Sequence, residues 1–213
     1  MKTDDLVAML ARNAEPVAES NRRGRLAAAI VAAGLASFVL MMATLGVRPD
    51  LAEAARDTMF WVKLGFAAAL TAGAGVAVWR LAMPGRALAA APAMIAAPVV
   101  AMLLLAAAVL AGAHSGTRMG LVFGATWKTC PFNITMLSIP GVALLLWLTK
   151  DLAPTRPALA GAACGLTAGA VAALVYALHC PEMAAPFIAV WYLIGILMPA
   201  AIGAVLGARV LRW

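Results

Sequence analysis

Long apolar stretches alternate with short polar ones along the whole chain. Six of them stand out: Leu26–Val47, Thr58–Trp79, Ala87–Ala113, Ile134–Thr149, Ala158–Leu178 and Ala184–Ala208. A helix needs roughly 20 residues to cross about 30 Å of hydrocarbon, and every stretch but the fourth reaches that length. The third is the clearest, with no charged residue between Arg86 and Arg118. The start of the fourth is the least defined. Backbone amides in lipid must pair within their own segment, so each stretch predicts a helix. The pattern predicts an all-α polytopic membrane protein of six transmembrane helices in three hairpins.

Composition agrees. Of 213 residues, 65% are hydrophobic and 12% charged, against about 45–50% apolar and about 25% charged in soluble domains. The net charge of +7 could signal nucleic acid in a soluble protein. Here the bases gather at the ends of apolar runs, where they orient a protein in the bilayer, so no direct nucleic-acid binding is expected. Lys2, Arg12, Arg22, Arg23, Arg25, Arg80, Arg86, Lys150, Arg156, Arg209 and Arg212 fall on one side, and Arg48, Arg56, Arg118 and Lys128 on the other. The positive-inside rule then places both termini in the cytoplasm. The first span is too long, and too far from the start, for a secretory signal. Two parts result: a cytoplasmic amino-terminal arm, 1–25, and a transmembrane domain, 26–213, with short periplasmic loops.

The arm carries its own pattern. Thr3 can cap a helix, and Asp4 and Asp5 suit its first turn. Leu6, Met9, Leu10 and Val17 follow near helical spacing, and Pro16 kinks or ends the segment. Such a helix needs a surface. It lies on the inner leaflet or docks into an apolar groove of a cytosolic protein, unless the arm is disordered.

Two of the three cysteines open Cys-Pro pairs, Cys130-Pro131 and Cys180-Pro181. Each pair precedes a long apolar run, Met136–Leu148 and Ala184–Ala208 respectively. Both thiols therefore fall on the outer face, at the entrances of two helices. Lys128 and His179 stand nearby, and cationic neighbours make a thiol more reactive. His179, Glu182 and His114 share that face as accessory ligands. Cys130, Cys180 and His179 together suit a soft or borderline metal such as copper, while an oxidising compartment permits a disulfide. Three readings stay open: a static disulfide, inert thiols, or a responsive metal or redox site. No constitutive cofactor is expected, only transient copper or another soft metal ion.

Other features read as structural. Cys164 lies between Gly161 and Gly165 inside the fifth span, as a small packing residue. Gly161, Gly165 and Gly169, with Gly203 and Gly207 in the sixth span, form small faces for close helix approach, with a homo-oligomer contact as the alternative. Lys63, inside the second span, is expected to snorkel to the outer interface. No Asp or Glu lies deep in a span, which weighs against an ion-coupled transporter. No phosphate loop, nucleophile triad or hydrolase motif occurs, so no catalytic residues and no enzyme are predicted.

The opening Met1-Lys2-Thr3-Asp4-Asp5-Leu6, the stretch Phe60-Trp61-Val62-Lys63, Cys130-Pro131 and His179-Cys180-Pro181-Glu182 resemble the NrsF-type negative regulators of sigma factor F, along essentially the whole chain. The resemblance implies a bacterial inner-membrane anti-sigma factor whose partner is an extracytoplasmic-function sigma factor, released under heavy-metal or oxidant stress. It also implies that Thr3, Asp4, Asp5, Leu6, Met9 and Leu10 hold the sigma factor, and that Cys130 and Cys180 are the sensing thiols. The rival readings are a small transporter or metal-handling permease, and a membrane thiol oxidoreductase.

Overall fold

The computed structural model describes residues 9, 19–83 and 87–212. Among these there is no strand. Six helices are long and apolar enough to cross a membrane: α1 (Glu19–Thr44), α2 (Thr58–Leu81), α3 (Ala91–Gly112), α4 (Cys130–Lys150), α5 (Pro157–Tyr176) and α6 (Ala185–Val210). They match the six apolar stretches, with shifted ends. Helix α1 begins at Glu19 rather than Leu26, because arginine is a good helix former and does not end a helix on leaving the apolar zone. Helix α4 begins at Cys130 rather than Ile134, since Pro131 fits the first turn, where its missing N–H is not needed. The segment 114–133, read as a loop, contains a further helix, Ser115–Phe123.

Helix α5 is the most buried of the six and α3 the least. The Ala- and Gly-rich α5 packs against α1, α2, α4 and most extensively α6. Small residues drive that closeness: a Cβ on Gly161 would collide with the Gly203 carbonyl, and one on Gly165 with the Pro199 carbonyl. The glycine faces read from the sequence are thus an intramolecular seam. Pro98, Pro140 and Pro199 lie within continuous helices, as neighbouring helices in a membrane bundle allow.

Two apolar clusters divide the interior. One gathers Met41, Leu70, Ile134, Leu137, Tyr176, Phe187 and Tyr192 around Cys130 and Cys180. The other gathers Ala77, Val78, Leu145, Ala160 and Cys164 towards the opposite end. Cys164 is buried there beside the Thr149 hydroxyl, 3.3 Å away, in the packing role expected of it. Large apolar side chains such as Val31, Leu35, Val39, Leu104 and Trp147 face outward, as the hydrocarbon of a bilayer requires.

Candidate functional site: a buried thiol pair

The ends of α1 and α5 meet the starts of α2, α4 and α6 at one end of the bundle. Cys130 is the first residue of α4. Cys180 lies in the turn between α5 and α6, its amide bonded to the Tyr176 carbonyl at 2.9 Å. Both are fully buried free thiols in one apolar cluster, close enough to act on each other.

The turn that carries Cys180 is pinned from several directions. The Cys180 carbonyl accepts from Lys63 Nζ at 3.1 Å and from Arg48 Nη1 at 3.3 Å. Lys63 also donates to the Glu182 carbonyl at 3.1 Å. Arg48 is held in turn by two bonds to the Asp50 carboxylate, at 2.7 and 2.6 Å. That pairing raises the Arg48 pKa and lowers that of Asp50. The Arg48 amide donates to Leu178 O at 3.2 Å, which ties the 46–50 segment to the same turn.

Lys63 does not snorkel. It is fully buried, because the 180–182 segment folds over it and supplies two carbonyl acceptors. Its ammonium also stands over the Tyr192 ring, 5.6 Å from the centroid, within cation–π range. Tyr192 ends a π-helical turn, Ile188–Tyr192, within α6; such turns recur at functional sites. Its ring packs on Tyr176, and its buried hydroxyl completes no hydrogen bond while lying close enough to Cys180 to act on it. The Tyr176 hydroxyl accepts from Asn133 Nδ2 at 3.3 Å.

Glu182 joins the two Cys-Pro segments. Its Oε1 accepts from the Ala125 and Thr126 amides at 2.7 and 3.2 Å and from the Thr126 hydroxyl at 3.3 Å. The carboxylate beyond Cys180 thereby holds the turn that leads into Cys130. Gly124 serves that contact twice over: its φ is +54°, and a Cβ would strike the Glu182 carboxylate. Glu182 is thereby engaged as a strut between the two segments.

His179 Nδ1 is hydrogen-bonded to Gly46 O at 2.9 Å, and its ring lies on Tyr176. His114 is exposed at the start of the Ser115–Phe123 helix. Lys128 stands over the Trp127 ring; the cations that reach the Cys180 segment are Lys63 and Arg48. Among the described residues no three His, Cys, Asp or Glu side chains are grouped to hold a metal ion. The two sulfurs alone remain as donors, which suits a disulfide or a two-coordinate soft ion. The neighbouring Cys130 side chain, then Lys63, the Tyr192 hydroxyl and the Glu182 amide, outweigh burial and hold Cys180 below the ordinary thiol range.

At the other end of the bundle α1 and α2 diverge and otherwise barely touch. Ile30, Thr71, Gly75, Trp79 and Arg80 line the groove between them. The Arg23 guanidinium bridges its mouth, 5.3 Å from the centre of the Trp79 ring. Of the arm residues singled out in the sequence, Thr3, Asp4, Asp5, Leu6 and Leu10 lie outside the described residues; Met9 is helical and exposed.

Sequence reasoning found the two thiols and placed them on one face. It missed Arg48, Asn133, Tyr176 and Tyr192, and misjudged Lys63. A lysine within an apolar run was the available signal, since a charge there demands a partner.

Six helices long and apolar enough to cross a membrane give the chain the form of an all-helical membrane protein. Residues 10–213 match the family described as negative regulator of sigma F, NrsF. A probable anti-sigma-F factor NrsF of Azospira oryzae is 51% identical over 213 residues, and the anti-sigma-F factor NrsF of Caulobacter vibrioides 36% identical over 220, each match covering both chains in full. The chain belongs to the NrsF family of negative regulators of sigma F. No solved structure matches it.

Proposed function

We propose that this protein is a bacterial inner-membrane anti-sigma factor. It holds an extracytoplasmic-function sigma factor through its cytoplasmic arm and releases it when Cys130 and Cys180 react with a heavy metal or an oxidant in the periplasm. Family membership along nearly the whole chain supports the anti-sigma role. For the sensing role, the supporting observation is the contact between two free thiols contributed by different helix entrances. The excess of Lys and Arg on the side of the termini supports the orientation.

With a hydroperoxide as oxidant, the Cys180 sulfur attacks the terminal oxygen and the O–O bond breaks. The alcohol leaves with the thiol proton, and a sulfenic acid remains. The Cys130 sulfur displaces its oxygen as water, and a disulfide forms. A soft metal ion instead displaces the two thiol protons and joins both sulfurs. Either product links the start of α4, through Cys130, to the turn that feeds α6, through Cys180.

Release requires that the reacted state bind sigma less well than the resting state. A tenfold difference corresponds to about 1.4 kcal/mol. From the thiol end, α2 runs about 24 Å from Lys63 to Trp79, where it meets Arg23 and hence α1, the helix that continues from the arm. Deleting residues 1–20 tests the first half of the reading. Transcription from the sigma factor's promoters then becomes constitutive while the remaining chain still accumulates in the membrane; unchanged repression by the truncated chain would contradict it.

A further inference from the structure

Helices α1 and α2 part at the end of the bundle opposite the thiols, and a groove of about 610 Å³ runs between them. Its mouth is cationic, with Arg23 on α1 and Trp79 and Arg80 on α2. Its depth is apolar, with Ile30, Ala72 and Leu174 among its walls. The Thr71 hydroxyl on the same walls is bonded to the Ala67 carbonyl at 2.9 Å. From Trp79 to Ala68 helix α2 rises about 16 Å, close to the depth of hydrocarbon in one leaflet, about 15 Å. Ala68 and Ala72 are exposed along it. Both helices are long and apolar enough to cross a membrane, so the groove opens sideways onto lipid.

The charges at the mouth favour an anion. The Arg80 guanidinium is half-buried, and among the described residues it forms no hydrogen bond or ion pair. Arg23 sets a second positive charge beside it, over the Trp79 ring. Arg80 also lines a polar pocket of about 390 Å³ with Thr155 and Arg156, so the positive field extends past the mouth. Guanidinium groups bind phosphate strongly, indoles favour the level of lipid headgroups, and basic pockets between membrane helices suit acidic lipids. Two other occupants fit less well. The longest run of the arm without a charge, residues 6–11, would as a helix cover about 9 Å, little more than half the groove. A second copy docked through the same face would set Arg23 and Arg80 against their own counterparts.

We propose that this groove binds an acidic phospholipid, with one acyl chain between α1 and α2 and the phosphate held by Arg23 and Arg80. The leaflet is the cytoplasmic one in the orientation proposed above. The site is separate from the thiol pair and does not depend on the sensing role. A lipid seated there joins two helices that otherwise barely touch.

The test uses full-length protein in phosphatidylcholine vesicles that carry a tracer, either phosphatidylglycerol or phosphatidylcholine, with a diazirine at mid-chain. On illumination the diazirine loses dinitrogen, and the carbene inserts into a neighbouring bond. Mass spectrometry of the peptides reads the labelled positions. The phosphatidylglycerol tracer should label the groove around Ile30 and Thr71 about tenfold more than the phosphatidylcholine tracer does. Both should label the outward-facing Leu104 of α3 alike.

Arg23→Gln/Arg80→Gln should bring the groove preference down to that at Leu104. Arg209→Gln/Arg212→Gln removes the same charge from the same end, outside the groove, and should keep the preference. Ala72→Phe retains every arginine but fills the groove; it should lose the preference too, and it carries the test if the first pair does not fold. Equal groove labelling by the two tracers in the parent overturns the proposal. So does a preference that survives Ala72→Phe, which would mean adsorption to the basic surface, or one lost equally in both arginine pairs. Labelling of neither Ile30 nor Thr71 by either tracer would give the groove to the arm or a second copy and overturn it as well.

Discussion

Lys63 and Cys180 stand 117 positions apart in the chain, and the lysine ammonium donates to the cysteine carbonyl at 3.1 Å. That bond joins α2, which reaches the Arg23–Trp79 contact at its other end, to the turn that presents a thiol. Under the proposed sensing role, a chemical event at the sulfurs is passed to a helix that runs to the far end of the bundle.

Glu182→Ala removes the acceptor of two amides and a hydroxyl. Hydrogen bonds to a charged group contribute about 1.5–3 kcal/mol each, and these share one oxygen. A loss of about 2 kcal/mol is expected, or about 4–8 °C in the thermal midpoint for a chain of this size. Glu182→Gln, which keeps one carbonyl oxygen, should fall in between. Thermal unfolding in detergent, followed by monodispersity on size exclusion, measures this.

Gly165→Ala and Gly65→Ala make a contrasting pair. A Cβ at Gly165 meets the Pro199 carbonyl, whereas one at Gly65 has nothing within 4 Å. The first should destabilise by more than the usual 1–3 kcal/mol of overpacking, because backbone must move. The second should be neutral or stabilise by about 0.5–1 kcal/mol through helix propensity. Membrane accumulation and thermal midpoint of the two variants check the prediction.

Trp79→Ala leaves the thiol end intact and removes the ring over which Arg23 lies. Cys130 and Cys180 should still cross-link under hydroperoxide at the parent rate, while sigma release falls several-fold. Non-reducing electrophoresis and sigma co-purification from the same membranes read the two effects. Equal release in parent and variant would remove this contact from the route.

Much of the fold was legible in the sequence because a bilayer leaves few choices. Twenty apolar residues mark a helix, and Gly161, Gly165, Gly203 and Gly207 mark where two helices touch. Helix ends were less legible, since Arg22 and Cys130 can lie inside or outside a first turn. The thiol pair could be guessed from two Cys-Pro dipeptides on one face. Its surroundings could not. Lys63 looked like an interfacial residue because the acceptors that bury it come from residues 180 and 182, and local sequence carries no trace of a partner so far away. The strut at Glu182 was hidden for the same reason: its amide partners at 125 and 126 are set by a glycine turn that has no signature of its own.

The central claim is that the state of two thiols governs retention of a sigma factor. The direct measurement is co-purification of the sigma factor with full-length protein from membranes treated with a hydroperoxide or with copper. The parent is compared with Cys130→Ser/Cys180→Ser. The account predicts that at least one treatment releases most of the sigma factor from the parent and none from the double variant. Equal retention by both proteins under every treatment, or equal loss from both, would contradict it.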